Sequence, residues 1–169
     1  MAEKSVYEPR EDTFLLATQV KKHAKGKVLE IGAGSGYLSD VAAEKKTVKS
    51  VTACDINPHS ITYMQKLEKK GKLAYRKKIK IIKSDLFSNI KGVFDTIVFN
   101  PPYLPEDERE PGGWLKKATT GGKKGWETIE NFLNNLAEFL DSKGKTLLLF
   151  SSLTNKEKID QLIQDRLFD

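Results

Sequence analysis

Three carboxylates and one proline-fixed corner are the residues of this sequence whose types and spacing could do chemistry. The run Leu29-Glu30-Ile31-Gly32-Ala33-Gly34-Ser35-Gly36 reads acid-x-Gly-x-Gly-x-Gly. Glycines so spaced let a backbone turn tightly and approach a ligand with no Cβ in the way. The dinucleotide pattern G-x-G-x-x-G would need its third glycine at position 37, which is Tyr37, and no Gly-Lys-Ser/Thr follows to make a phosphate loop. A carboxylate at Glu30 would repel a pyrophosphate and attract an ammonium group. The ligand selected is a nucleoside without phosphates but with an amine, and S-adenosylmethionine fits, with Gly32 and Gly34 beneath it. A plain strand-to-helix turn is the simpler alternative for this run alone. Asp55 lies 23 residues after Gly32, close to the roughly 20 at which an acid takes ribose hydroxyls in nucleotide-binding α/β folds. Asp85, in Lys83-Ser84-Asp85-Leu86-Phe87, is expected near an adenine amine. Each acid alone reads as a cap or turn residue. Three of them at the carboxyl ends of successive strands mark the edge where open sheets bind ligands.

The corner is Phe99-Asn100-Pro101-Pro102-Tyr103. Two prolines fix φ and carry no N–H, so they hold a rigid exposed bend. That bend would present Asn100 and Tyr103 at the mouth of the site. The Asn100 side-chain carbonyl can accept one N–H of a planar nitrogen, and the Pro101 backbone carbonyl another. Drawing both protons aside directs the nitrogen lone pair at a methyl donor, while Tyr103 stacks on the planar target. Such catalysis works by orientation and pre-set dipoles and needs no general base before attack. Amides and aromatic amines both satisfy it, so a glutamine side chain and the exocyclic amine of adenine stay open as targets. A non-catalytic subunit that keeps the fold is the third possibility, and intact Glu30, Asp55, Asp85 and Asn100 count against it.

Positioning these groups requires alternating strands and helices. Short β-branched or aliphatic runs occur at 27–31, 48–54, 79–82, 94–99 and 146–151, near-continuous in apolar character as in strands covered on both faces. Helical periodicity fills 11–23, 36–46, 58–70, 127–141 and 155–166. In the fourth, Ile129, Phe132, Leu133, Leu136, Phe139 and Leu140 recur at helical spacing and Gly144 follows as a stop. Asn57-Pro58 caps the third helix. The pattern predicts an open, mostly parallel, twisted sheet with helices on both faces. Residues 1–169 read as a single domain with one long connection, Leu104 to Gly125, which holds five of the twelve glycines; connections of that length are usually functional or mobile. Trp114 and Trp126 are expected to anchor it.

With 169 residues, 38% of them hydrophobic and 31% charged, the chain has the composition of one globular domain. No apolar run approaches the roughly 20 residues that cross a bilayer, and MAEKSVYEPRED holds no signal-like stretch, so no membrane partner and a cytoplasmic location are expected. Cys54 is the one cysteine and is expected to be buried in a strand. With only His23 and His59 besides, no intrinsic metal centre is expected. The net charge of +6 is local. Residues 66–80 carry eight basic side chains against Glu68, or +7, and the rest of the chain sums to −1. The run reads first as a solvated helix end and second as a surface for RNA or an acidic partner.

Taken in order along the chain, these motifs resemble the HemK-like class I S-adenosylmethionine-dependent methyltransferases, in their short archaeal and eukaryotic branch. The resemblance rests on Val6-Tyr7-Glu8-Pro9-Arg10-Glu11-Asp12-Thr13-Phe14-Leu15-Leu16, the glycine run, Asp55-Ile56-Asn57-Pro58, Ser84-Asp85-Leu86, the segment from Phe94 through Tyr103, and Gly121-Gly122-Lys123-Lys124-Gly125. It implies a Rossmann-like class I methyltransferase fold and methylation of the side-chain amide nitrogen of glutamine in the Gly-Gly-Gln motif of a class I translation release factor. A small zinc-binding activator protein is implied as partner. Thr13, Glu30, Gly32, Asp55, Asp85 and Leu86 would bind S-adenosylmethionine, Asn100 and Pro101 the target amide, and Tyr103 would line its pocket. Members usually end in two further strands that complete a seven-stranded sheet. Residues 155–169 supply a helix and no such hairpin, so the C-terminal strands are expected to be missing or shortened.

Overall fold

A computed structural model of the chain describes residues 5–72, 76–107, 109 and 112–167. Five strands, β1 (Gly26–Ile31), β2 (Val48–Asp55), β3 (Ile79–Lys83), β4 (Phe94–Phe99) and β5 (Leu140–Leu148), form one sheet in the order β3-β2-β1-β4-β5. All four pairings are parallel. The chain starts in the middle of the sheet, works outward to β3, then crosses back to β4. The carboxyl ends of β1 and β4 therefore lie side by side, where the direction of winding reverses and such sheets open a crevice.

Side-chain alternation along the strands divides the interior in two. Val28, Val51, Ala53 and Val98 point to one face and pack with Leu16, Ala17 and Val20 of α1 (Glu11–His23), Leu38 and Val41 of α2 (Tyr37–Ala43) and Met64 of α3 (Pro58–Lys69). Leu29, Ile31, Cys54, Ile97 and Phe99 point to the other. There they meet Ile129, Phe132, Leu133 and Leu136 of α5 (Glu127–Phe139) and Ile159 and Leu162 of α6 (Lys156–Leu167). Full burial of each such side chain is worth about 1.5–3 kcal/mol, so the apolar stripe of α5 fixes that helix firmly. Phe87, which directly follows the Asp85-Leu86 turn, stacks on Phe132 and Phe139 with ring centroids 5.5 and 4.5 Å apart. The turn is thereby anchored to the core.

Three local expectations give way. The last strand begins at Leu140 rather than at residue 146, and α5 stops at Phe139 rather than running to 141. Pairing with β4 wins over the polar character of Asp141 to Lys143: Phe94 pairs with Leu140, an irregularity follows, and register resumes at Thr96 with Lys145. Gly144 consequently sits inside an irregular strand and does not end the helix. Within the long connection a short helix, α4 (Trp114–Thr119), forms where a loop was expected. Among the described residues β5 has β4 as its only strand neighbour, so the sheet has five strands and the hairpin of a seven-stranded sheet is not among them. No helix of the described residues is long and apolar enough to cross a membrane.

Candidate functional site

The carboxyl ends of β1, β2 and β4 and the turn after β3 floor a cavity of about 720 Å³. The glycine turn comes first. Gly32, Gly34 and Gly36 have φ of 65°, 54° and 81°, left-handed values that side chains with a Cβ disfavour. Asp55, at the end of β2, clamps this turn: Oδ2 accepts from the Gly34 N–H at 2.7 Å and Oδ1 from the Asn57 N–H at 2.8 Å. Burial raises its pKa, and the N–H groups of Asn57 and Gly34 oppose that rise.

Glu30 lies in β1 facing α2. It lines the cavity yet is 3% exposed, and Ser39 donates a hydrogen bond to its Oε2. Burial pushes its pKa up to about 8, against the Ser39 hydrogen bonds, and the Asp55 charge adds to the rise. The sequence places Glu30 at the strand end facing the ligand, and Glu30 does line the cavity. The structure places it deep, as a buried group predisposed to be neutral until a cation is brought to it.

Asp85 is exposed at the cavity rim, and Leu86 beside it adopts φ 44°. Among the described residues Leu86 is one of two non-glycine residues at positive φ. Such strain in a turn costs on the order of 1 kcal/mol or more and persists only where surroundings impose it. Here Ser84 Oγ donates to the Leu86 carbonyl at 2.9 Å, and the Phe87 stack holds the next residue. Thr13, in the first turn of α1, is 7% exposed and lines the same cavity.

The Asn-Pro-Pro-Tyr segment leaves β4 at the opposite wall, and Asn100, Pro101 and Tyr103 all line the cavity. Asn100 Nδ2 donates to Asp12 Oδ2 at 3.1 Å, while Asn100 Oδ1 is buried without a hydrogen-bond partner. An orphaned buried acceptor costs about 1–3 kcal/mol, and its location at a cavity wall marks the place of an absent donor. The segment is braced from behind. Tyr103 and Leu104 donate from their N–H groups to the Thr119 carbonyl at 3.1 and 2.9 Å, and buried Thr154 donates its hydroxyl to the Tyr103 carbonyl at 3.0 Å. The Gly121 to Gly125 turn lies directly against it: a Cβ on Gly121 would come within 2.6 Å of the Pro102 carbonyl oxygen.

Glu30, Gly32, Gly34, Asp55, Asp85, Leu86, Thr13, Asn100, Pro101 and Tyr103 thus share one cavity. His23, His59 and Cys54 are not among its lining residues, and Cys54 is fully buried in β2. Trp114 lines the cavity, with Lys117 Nζ 4.8 Å from its ring centroid. Trp126 packs instead against the core on the α5 face. In the basic run, Lys78 donates to the carbonyls of Ala43 and Lys45 at 3.0 Å each, so it secures the end of α2. Residues 73–75 of that run, and 108, 110 and 111 of the long connection, lie outside the described residues. No group of three or more His, Cys, Asp or Glu among the described residues could hold a metal ion.

Asp12 and Tyr7, to which no spacing rule assigns a role, also line the cavity. Asp12 collects donors from across the site: the Tyr7 hydroxyl at 3.1 Å, the Thr13 N–H at 2.7 Å, the Thr13 hydroxyl at 3.2 Å, Asn100 Nδ2 at 3.1 Å and the Tyr103 hydroxyl at 3.5 Å. Burial would raise its pKa, but the hydrogen bonds from Asn100, Thr13 and Tyr7 outweigh that and hold it below the usual carboxylate value. Tyr7 is pushed up to about 12, by burial and then by the Asp12 charge. The signal for both was the Tyr7 to Leu16 run itself; no spacing rule links it to Asn100, 88 residues on.

The chain is similar to known proteins along most of its length. The sequence pattern of the family described as methyltransferase small domain matches residues 8–112. The chain is 42% identical over 159 residues to "Putative protein N5-glutamine methyltransferase" of Methanocaldococcus jannaschii, spanning 93% of this chain and 78% of that protein. It is 33% identical over 154 residues to the release factor glutamine methyltransferase of Borreliella burgdorferi, across 86% of this chain and 53% of that one. Among solved structures, the ribosomal protein L11 methylase of Lactobacillus delbrueckii superposes with a TM-score of 0.69 at 23% identity, covering 98% of this chain and 73% of that one.

Proposed function

Because this chain belongs to the methyltransferase small domain family and to the HemK-like methyltransferases, we propose that it methylates the side-chain amide nitrogen of a protein glutamine, with S-adenosylmethionine as donor. The substrate is the Gly-Gly-Gln motif of a class I translation release factor. Residues 1–169 act as one catalytic domain.

The observation that carries this reading is the Asn100 carboxamide: its nitrogen is tied to Asp12 and its buried oxygen has no partner. A primary amide entering from the Tyr103 side supplies the missing N–H. When bound, the donor supplies an electrophilic methyl group on a sulfonium. The chain's own residues then divide the work. Asp55, already aligned by two backbone N–H groups, takes ribose hydroxyls, and Asp85 with Leu86 frames the base. Thr13 and Gly32 line the amino-acid end, and Glu30 ionises to meet the donor ammonium. Asn100 and the Pro101 carbonyl draw the amide protons aside so that the nitrogen lone pair faces the methyl carbon. With both amide protons held in this way, Asn100 and Pro101 would keep the nitrogen in line for the methyl that the donor would supply, and Tyr103 would hold the amide plane against drift. Orientation and fixed dipoles supply the acceleration.

A small zinc-binding activator completes substrate recognition. Lys66, Lys69, Lys70, Lys72, Lys77 and Lys80 are exposed and support a ribosomal RNA contact in the cytoplasm. Labelled S-adenosylmethionine tests the reading, offered with a release factor or with nucleic acid, with and without the activator. Label in the glutamine amide is the expected result. Label in nucleic acid alone replaces it with an adenine-amine methyltransferase, and no transfer with donor bound points to a binding subunit.

A further inference from the structure

Asparagine is an ambiguous acceptor, because its carboxamide has nearly the same shape after a half-turn that exchanges Oδ1 and Nδ2. In one orientation Asn100 offers an oxygen to a target N–H; in the other it offers N–H groups and repels the target. Proline rigidity does not settle the choice, since Pro101 and Pro102 restrain the backbone and not χ2. Asp12 can. A carboxylate only accepts, so whichever end of the Asn100 amide faces it must be nitrogen. Nδ2 does so at 3.1 Å, and Oδ1 is left buried, unpartnered and turned from Asp12. Asp12 is in turn immobilised by Thr13 N–H at 2.7 Å and by the Tyr7 hydroxyl at 3.1 Å.

We propose that Asp12 is a positioning residue that fixes the orientation of the Asn100 carboxamide so that Oδ1 is presented to the substrate amide. The inference deepens the glutamine-methylation reading and rests on it for its kinetic part. Asp12 touches neither donor nor target in this role; it acts through Asn100. A hydrogen bond to a charged partner sets the bias between the two orientations at on the order of 10- to 100-fold.

Asp12→Asn tests it with almost no change of shape, since an asparagine can donate as well as accept and no longer dictates the orientation. Turnover of a glutamine-containing release factor should fall about 10- to 100-fold, while the dissociation constant for S-adenosylhomocysteine stays within about twofold. The Asn100 side-chain amide pair in a ¹H–¹⁵N spectrum should shift. A second variant keeps the inference testable should the single substitution fold poorly. In Asp12→Asn/Asn100→Asp the donor and acceptor are exchanged: residue 12 donates, and residue 100 again turns an acceptor oxygen to the substrate with the charge conserved. That pair should be at least about tenfold more active than Asn100→Asp alone. Wild-type turnover in Asp12→Asn, an unmoved Asn100 resonance, or no recovery in the exchanged pair overturns the role of Asp12. Failure of the wild-type enzyme to methylate any amide overturns the functional reading instead, and the Asn100 resonance still reports on Asp12.

Discussion

Glu30→Gln isolates the least ordinary titration in the site. Glu30 is fully buried, its only charge neighbour of note is another acid, and its pKa stands at about 8 against an ordinary 4.5. The difference corresponds to about 5 kcal/mol between the two protonation states. At pH 7 the carboxyl of the ligand-free protein is therefore about nine-tenths protonated. A donor ammonium at Glu30 reverses the preference, because an adjacent cation favours the carboxylate. Binding must then expel about 0.9 proton from Glu30; the ligand amine, with an ordinary pKa near 7.7–8.0, takes up about 0.1 on completing its own protonation. The net release is about 0.8 proton per S-adenosylhomocysteine bound at pH 7, measurable by titration calorimetry in buffers of different ionisation enthalpy. Glu30→Gln should bind more weakly and release close to none. The same shift has a sign for stability. A folded pKa above the unfolded one means that stability is fully present below about pH 4.5 and is lost as pH rises through about 8. The melting temperature of ligand-free wild type should decline across that window relative to Glu30→Gln. A release below about 0.2 proton by wild type, or equal release by the variant, would refute the assignment of Glu30 to the ammonium.

Three further substitutions separate chemistry from scaffold. Asn100→Ala removes the orphan acceptor and should lower transfer by at least about 100-fold, as loss of one pre-set dipole commonly does, with S-adenosylhomocysteine affinity nearly intact by calorimetry; loss of donor binding would contradict its target-amide role. Phe87→Ala empties the stack against Phe132 and Phe139 and should cost about 3–5 kcal/mol in denaturant unfolding, while freeing the Leu86 turn and weakening donor binding. Gly121→Ala forces a methyl against the Gly125 and Pro102 carbonyls, which crowds the glycine turn and the Asn-Pro-Pro-Tyr corner together, and should cost about 1–3 kcal/mol, with a loss of turnover exceeding any loss of donor affinity.

The elements were legible because their signals were local. Apolar runs marked all five strands to within a few residues except β5, and Asn57 does cap α3, accepting from the His59 N–H at 2.9 Å. The start of β5 was hidden because Asp141 to Gly144 are polar or flexible, and only pairing to β4 makes them strand. The helix α4 was hidden because its six residues bury nothing fully and so leave no apolar stripe to detect.

The site divides along the same line. Gly32, Asp55 and Asp85 could be placed because each ends or follows its own strand, and strand ends in a parallel sheet converge at one edge. Glu30 could be placed at that edge but not at its depth, since burial against Ser39 depends on how α2 docks. Asp12 could not be joined to Asn100 at all. Their contact requires the first turn of α1 to dock beside the end of β4, and the Asn57 side chain helps hold the segment that leads into it, donating to the Ser5 carbonyl at 2.7 Å. Asn57 therefore serves both as the cap of α3 and as a tie for the strand of chain that carries Tyr7 and Asp12. Residues that line a ligand edge follow from the order of strands. Residues that orient those residues follow from tertiary docking, which periodicity and spacing do not encode.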